Sequence, residues 1–224
     1  MPTAIVKSTM RAPLASCLAA IGLSAACSSL SVATVCEGVP LLKNFDGTWE
    51  SGYCWGYQLE PPDIGAFAEG FDGPGIVCGM GVYITGVLGM EVAEPDLFVY
   101  ADEGGNPGQV LAFKDRAFVG GAGLWPSVVH YTAYIGALVD ADRFFVGVQL
   151  WWGDCPPFIV ADLDGPGGRP RTNVPMFQEA LPGWTHPDEV WHDGCRSLGI
   201  EVYLEPFPTP VVETSWGSVK SLYR

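Results

Sequence analysis

The sequence predicts an all-β protein built as an antiparallel two-sheet β-sandwich. Two observations carry that reading. Glycine and proline, 29 and 19 of the 224 residues, are scattered along the whole chain. They interrupt long helices, because in a helix interior glycine costs about 1 kcal/mol and proline about 3 kcal/mol relative to alanine. Between them lie short runs rich in Val, Ile, Phe and Tyr, with no sustained helical period before the C-terminal tail.

The N-terminal stretch stands apart from those runs. Lys7 and Arg11 precede "APLASCLAAIGLSAACSSLSVA", and no acidic residue occurs before Glu37. A basic head, a short apolar segment and a small-residue exit describe a secretory signal peptide, residues 1–33, cut after Ala33, with Met10 as an alternative start. A lipoprotein cut before Cys27 is the minor alternative, since the leucine of "LSAAC" sits one place too far from the cysteine. No transmembrane segment is expected in the mature chain, which is placed outside the cytoplasm, secreted or at the cell surface.

The strands follow in order. "GVYITGVL", "DLFVYAD", "GQVLAF", "SVVHYTAYIGALV", "RFFVGVQLWW", "FIVADL" and "GIEVYLE" are separated by turn residues, and about eight to ten strands are expected in all. "YADEGGNPGQVL" reads as a hairpin turning at its glycines. In "RFFVGVQLWW", Phe144, Val146, Val148, Leu150 and Trp152 form a core face, while Phe145, Gly147, Gln149 and Trp151 form a mixed, partly wet one. In "GIEVYLE", Ile200, Val202 and Leu204 point in and Glu201, Tyr203 and Glu205 point out. The sandwich domain spans residues 34–206. Beyond the Pro-Thr-Pro spacer, residues 207–224 form a tail in which Trp216, Val219 and Tyr223 share one face of a short helix.

"FVYADEGGNPGQVLAF", followed by "LWPSVVHYTAYIGALVDADRFFVGVQLWW", "ADLDGPGGRP" and "SLGIEVYLE", resembles a domain of secreted bacterial proteins without an assigned activity. The resemblance covers most of residues 44–205 and implies a jelly-roll-like sandwich similar in shape to carbohydrate-binding modules. Shape does not transfer function. The end "TSWGSVKSLYR" resembles C-terminal sorting or docking tails, which would make the tail a site for a protein partner; the alternative is a tail folded over a sheet edge.

Charge narrows the partners. The chain carries 11 basic and 25 acidic residues; without Lys7 and Arg11 the balance is 9 against 25. So acidic a surface repels phosphate backbones, and nucleic acid is set aside. Five cysteines remain after residue 33, so two disulfides and one thiol are expected in an oxidising compartment. A Cys155–Cys195 bridge, from just after one strand to just before the last, would pin the intervening loop.

That loop, "GWTHPDEVWHDGC", gathers the chemistry candidates. His186, His192 and Asp193 are candidate metal ligands, although their spacing, with Pro187 between, does not put both imidazoles on one helical face. The competing expectation is a polar surface loop whose Trp184 and Trp191 cap the sandwich. Asp162 and Asp164 could begin a calcium site beside a glycine-rich turn, or could bond their own backbone. Calcium is the one cofactor these residues admit, and otherwise none is expected. There is no G-x-S-x-G motif, His130 falls inside a strand, and so many acids make any carboxylate pair uninformative. No catalytic residue is expected.

Eight tryptophans are the remaining signal. Trp151, Trp184 and Trp191, with Asp188, are the candidates for an exposed surface that stacks on sugar rings. The expected role is an exported, non-catalytic binding or adhesion module for a glycan or cell-envelope polymer. The alternatives are a metal-dependent hydrolase working through the His186/His192 loop, and a structural cell-envelope protein.

Overall fold

A computed structural model describes residues 36–55, 65–87, 92–149, 157–174 and 183–207. The expected signal peptide, the C-terminal tail with Trp216, and the candidates Cys27, Trp151 and Cys155 lie outside the described residues.

In chain order the strands are β1 (Leu41–Lys43), β2 (Ser51–Tyr53), β3 (Ala66–Asp72), β4 (Gly75–Gly86), β5 (Val92–Ala93), β6 (Asp96–Glu103), β7 (Asn106–Lys114) and β8 (Gly120–Gly121). They continue with β9 (Gly123–Leu124), β10 (Val129–Val139), β11 (Arg143–Gln149), β12 (Phe158–Asp162), β13 (Pro170–Val174), β14 (Gly183–Thr185), β15 (Ser197–Leu198) and β16 (Ile200–Pro206), with one short helix, α1 (Pro187–Trp191), before β15. The fold is the all-β sandwich of two antiparallel sheets that the alternation predicts. Among the described pairings, the short contact of β4 with β9 is parallel.

The first sheet is organised on β4, which pairs with β10 on one side and with β16 and then β12 on the other, while β1 extends it beyond β16. The second sheet runs β14-β13-β3-β11-β6-β7. Their facing sides bury Val77, Met80, Val82 and Ile84 of β4 against Phe67 and Phe71 of β3 and Phe144, Val146 and Val148 of β11. Each fully buried side chain of this size contributes about 1.5–3 kcal/mol. Ile200, Val202 and Leu204 of β16 point into the same core, as their alternation predicts.

The β6–β7 hairpin turns at Gly104 and Gly105, whose φ of 66° and 87° side chains rarely adopt. Asp102 Oδ1 accepts from the Gly105 amide at 2.7 Å and closes the turn.

Four expectations need correction. Phe145 is fully buried on the outer side of its strand, because Ala68 and Tyr100 pack against it there. Glu201 also faces outward but is 1% exposed, beneath groups described below. The histidine loop contains a helical turn, α1, that no period announced. Among the described residues the disulfide is Cys36–Cys78, tying the segment before β1 to β4, whereas Cys54 and Cys195 are buried free thiols. Cys195 is therefore not bridged to Cys155: its Sγ faces inward, 3.7 Å from the Ser197 carbonyl that accepts from it.

A carboxyl group crosses the core. Glu69 on β3 points inward between Phe67 and Phe71 and is completely buried. Its Oε1 accepts from Asn44 Nδ2 at 3.0 Å and from the Arg169 amide at 2.6 Å. Oε2 accepts from the Leu198 amide of the opposite sheet at 2.9 Å. These bonds lower the carboxyl's pKa, but burial outweighs them and pushes it up to about 7.

Candidate functional site

The loop between β14 and β15 is a closed structure of its own. His186 caps α1: its Nδ1 accepts from the Asp188 amide at 3.1 Å. Burial, and behind it the charge of Arg171, lowers the His186 pKa, which suits a neutral imidazole with a lone pair for the cap. At the other end His192 is exposed in the left-handed region, φ 55°, and its amide donates to the Asp188 carbonyl at 2.9 Å. Asp188 Oδ1 accepts from the Gly194 amide at 2.7 Å, and Thr185 Oγ1 donates to Glu189 Oε2 at 2.6 Å.

Asp193 turns the other way. Its Oδ1 accepts from the Tyr53 hydroxyl at 2.7 Å and its Oδ2 from Ser51 at 3.3 Å. Among the described residues, His186 and Asp193 are held by separate partners, and the three expected ligands, His186, His192 and Asp193, are not brought together as a metal set. Trp191 is not an exposed sugar-stacking residue. It is 4% exposed and plugs the core, stacked on Tyr53 at 4.5 Å and tilted against Trp55 at 5.2 Å. An amphipathic helical turn carries it inward, and sequence gave no period long enough to show which way it faced.

Among the described residues, ligand atoms of Glu50, Asp162 and Asp164 lie within 4.8 Å of one another. Asp162 is fully buried, however, and both its oxygens are taken. Oδ1 accepts from the amides of Asp164 and Gly165 at 3.1 and 2.6 Å, and Oδ2 from that of Asp46 at 2.9 Å. The alternative expected of it, a turn aspartate bonding its own backbone, is what it does.

The outer side of the second sheet offers a different surface. This sheet curls, so that β14 and β7, at its opposite ends, come back within contact of each other. Phe145 and Tyr100 fill the hollow. Around it runs a row of rings: Trp184 lies edge-on to Tyr100 at 5.7 Å, Tyr100 stacks on Phe98 at 5.4 Å, and Phe98 meets Phe113 at 4.9 Å. Trp184 and Phe98 are half-buried, and Phe113, on the edge strand β7, is 53% exposed. Gly147 makes this possible, since a Cβ there would lie 2.9 Å from the Tyr100 ring.

Arg171 of β13 supplies the polar side of that face. Register with Ala68 puts it on the outer side. Its Nε donates to the Gly105 carbonyl at 3.0 Å and to Asn106 Oδ1 at 2.8 Å, and Nη1 donates to the Pro170 carbonyl at 2.8 Å. Asp102 and Arg143 stand beside it as an ion pair at 3.6 Å.

The outer side of the first sheet carries a third arrangement. Glu201 of β16 and His130 of β10 meet across β4, Oε1 to Nε2 at 2.8 Å, and the Tyr83 hydroxyl donates to Oε2 at 3.1 Å. Gly81 lies beneath the pair, and a Cβ there would approach both within 2.7 Å. His130 stacks flat on Tyr83 at 4.2 Å. His130 lies inside a strand, as expected, and Glu201 is the buried partner that the alternation did not show.

Sequence reasoning thus missed Arg171, Phe98, Tyr100 and Phe113. One signal was available. In "DLFVYAD" both alternating faces, Leu97/Val99 and Phe98/Tyr100, are apolar, the mark of a strand covered on both sides. No helix among the described residues is long and apolar enough to cross a membrane. Comparisons with protein-family models, curated proteins and solved structures found no match to this chain.

Proposed function

We propose that the protein is an exported, non-catalytic module that binds a glycan or cell-envelope polymer on the curled outer face of its second sheet. The observation that carries this reading is the row Trp184–Tyr100–Phe98–Phe113, four rings in sequential contact on the side of the sheet away from the core. Aromatic faces present apolar area with little conformational freedom to lose, and they suit the apolar faces of sugar rings. Arg171, Asn106 and Asp102 stand at the same face to bond hydroxyls. Trp184 remains from the surface expected on sequence grounds, and Phe98 and Phe113 take the place of Trp191.

The Cys36–Cys78 disulfide favours an oxidising compartment, in keeping with export. The histidine loop gives a hydrolase little support, since His186 Nδ1, Asp188 Oδ1 and both Asp193 oxygens are already engaged.

The test is a screen of the full chain against insoluble and soluble polysaccharides beside Phe113→Ala and Trp184→Ala. Phe113 is more than half exposed, so its truncation leaves the fold intact. Loss of one stacking ring is expected to weaken binding by about tenfold, about 1.4 kcal/mol. Retention of no polymer by the wild-type chain, or equal retention by both variants, would contradict the proposal.

A further inference from the structure

We infer that Arg171 is an anion subsite on this curled face, and that the ligand carries an isolated carboxylate on an otherwise neutral sugar backbone. The inference rests on the reading of that face as a polymer-binding surface and names the chemical class it selects.

Among the described residues, Arg171 is bonded to neutral acceptors alone, through Nε and Nη1. The chain has 25 acidic residues, yet no carboxylate lies within ion-pair distance of this guanidinium among the described residues. The nearest acids are committed elsewhere: Asp102 to Arg143 and the Gly105 amide, Glu189 to the Thr185 hydroxyl, and Glu69 to three donors inside the core. Burial lowers the Arg171 pKa without neutralising it. A half-buried guanidinium with its charge uncompensated by contact is costly to keep, and that cost falls when a carboxylate arrives.

Three carbonyl-type acceptors fix the plane of the guanidinium in advance. The remaining nitrogen, Nη2, donates no hydrogen bond among the described residues, and the hairpin glycine beside it, Gly105, has no side chain to cover it. A fork held this way loses little freedom when it binds a planar anion. Trp184, opposite Asn173 two residues along β13, lies on the same outer face and meets Tyr100, so a ring stacked on the aromatic row would bring a substituent toward the guanidinium.

The net charge of −14 argues against a dense polyanion. At physiological salt, charges more than about 8 Å from the face are screened, so one local cation suffices for one carboxylate but not for many. A neutral chain bearing single uronic acid units meets both conditions.

The experiment compares the full chain on two probes by calorimetric titration: a xylo-oligosaccharide carrying one glucuronate, and the same oligosaccharide without it. The charged probe is expected to bind at least tenfold more tightly. Arg171→Gln should abolish the preference, so that the variant binds the two probes equally, with Arg171→Lys intermediate. Phe113→Ala should weaken both.

Equal affinity for the two probes, with Phe113→Ala still weakening both, would overturn the carboxylate subsite and leave the binding face standing. Binding of neither probe would overturn both. Should Arg171→Gln fail to fold, the two probes on the wild-type chain still decide.

Discussion

Trp191→Ala is expected to lower the free energy of unfolding by about 3–5 kcal/mol, the range for deleting a buried large aromatic side chain. Trp191 fills the space between Tyr53, Trp55 and Phe67, at ring distances of 4.5, 5.2 and 6.0 Å. Its loss opens a cavity that three rigid rings cannot collapse to fill. It also cuts α1 loose, because Pro187 and Trp191 are the buried residues of that helix. Chemical denaturation of the wild-type and variant chains measures it. A loss below about 1 kcal/mol would return Trp191 to the surface and with it the idea that this loop presents a tryptophan to ligand.

The second large effect belongs to Glu69. Its carboxyl titrates near 7 in the folded chain and near 4.5 when unfolded. A carboxyl whose folded pKa is raised contributes stability that is complete below the unfolded value. That contribution is lost as pH rises through the folded value, because the unfolded chain ionises first. The window is therefore pH 4.5 to about 7, and the loss across it is roughly 3 kcal/mol. Glu69→Gln removes the titration. Its amide nitrogen also faces one of the three donors now satisfied by the carboxylate, which costs about 1–3 kcal/mol. The stability advantage of wild type over Glu69→Gln should therefore shrink by roughly 2–3 kcal/mol between pH 5 and pH 8. Parallel stability curves over that range would show that Glu69 is already ionised in the folded protein at pH 5.

The sandwich was legible because its two signals are local. Alternation in "GIEVYLE" and in the core face of β11 reports burial directly, and the glycines of "DEGGNPG" report a turn. What alternation cannot report is cover on the second side of a strand. Phe145, Tyr100 and Glu201 all sit on outer faces and are buried there, by sheet curvature in one case and by cross-strand partners in the other.

The candidate site was legible only in part, for the same reason. Trp184 is found at the curled face, whereas Trp191, seven residues later on the same loop, is turned into the core by a single helical turn. Arg171 drew no notice as a lone arginine in "PRTNV". Its significance comes from the hairpin turn that grips it, more than sixty residues earlier in the chain. Histidine and acid spacing suggested a metal in the loop, but His186, Asp188, Glu189 and Asp193 there have backbone or hydroxyl partners.

Amide hydrogen exchange of the full chain, with and without a saturating amount of a soluble polysaccharide that the binding screen identifies, tests the central claim most directly. Protection is predicted in the β6–β7 hairpin and in β13 and β14, around Phe98, Phe113, Arg171 and Trp184, with β4, β10 and β16 unchanged. Protection confined to the outer side of the first sheet, around Tyr83, His130 and Glu201, would contradict it and place the binding face on the other side of the sandwich.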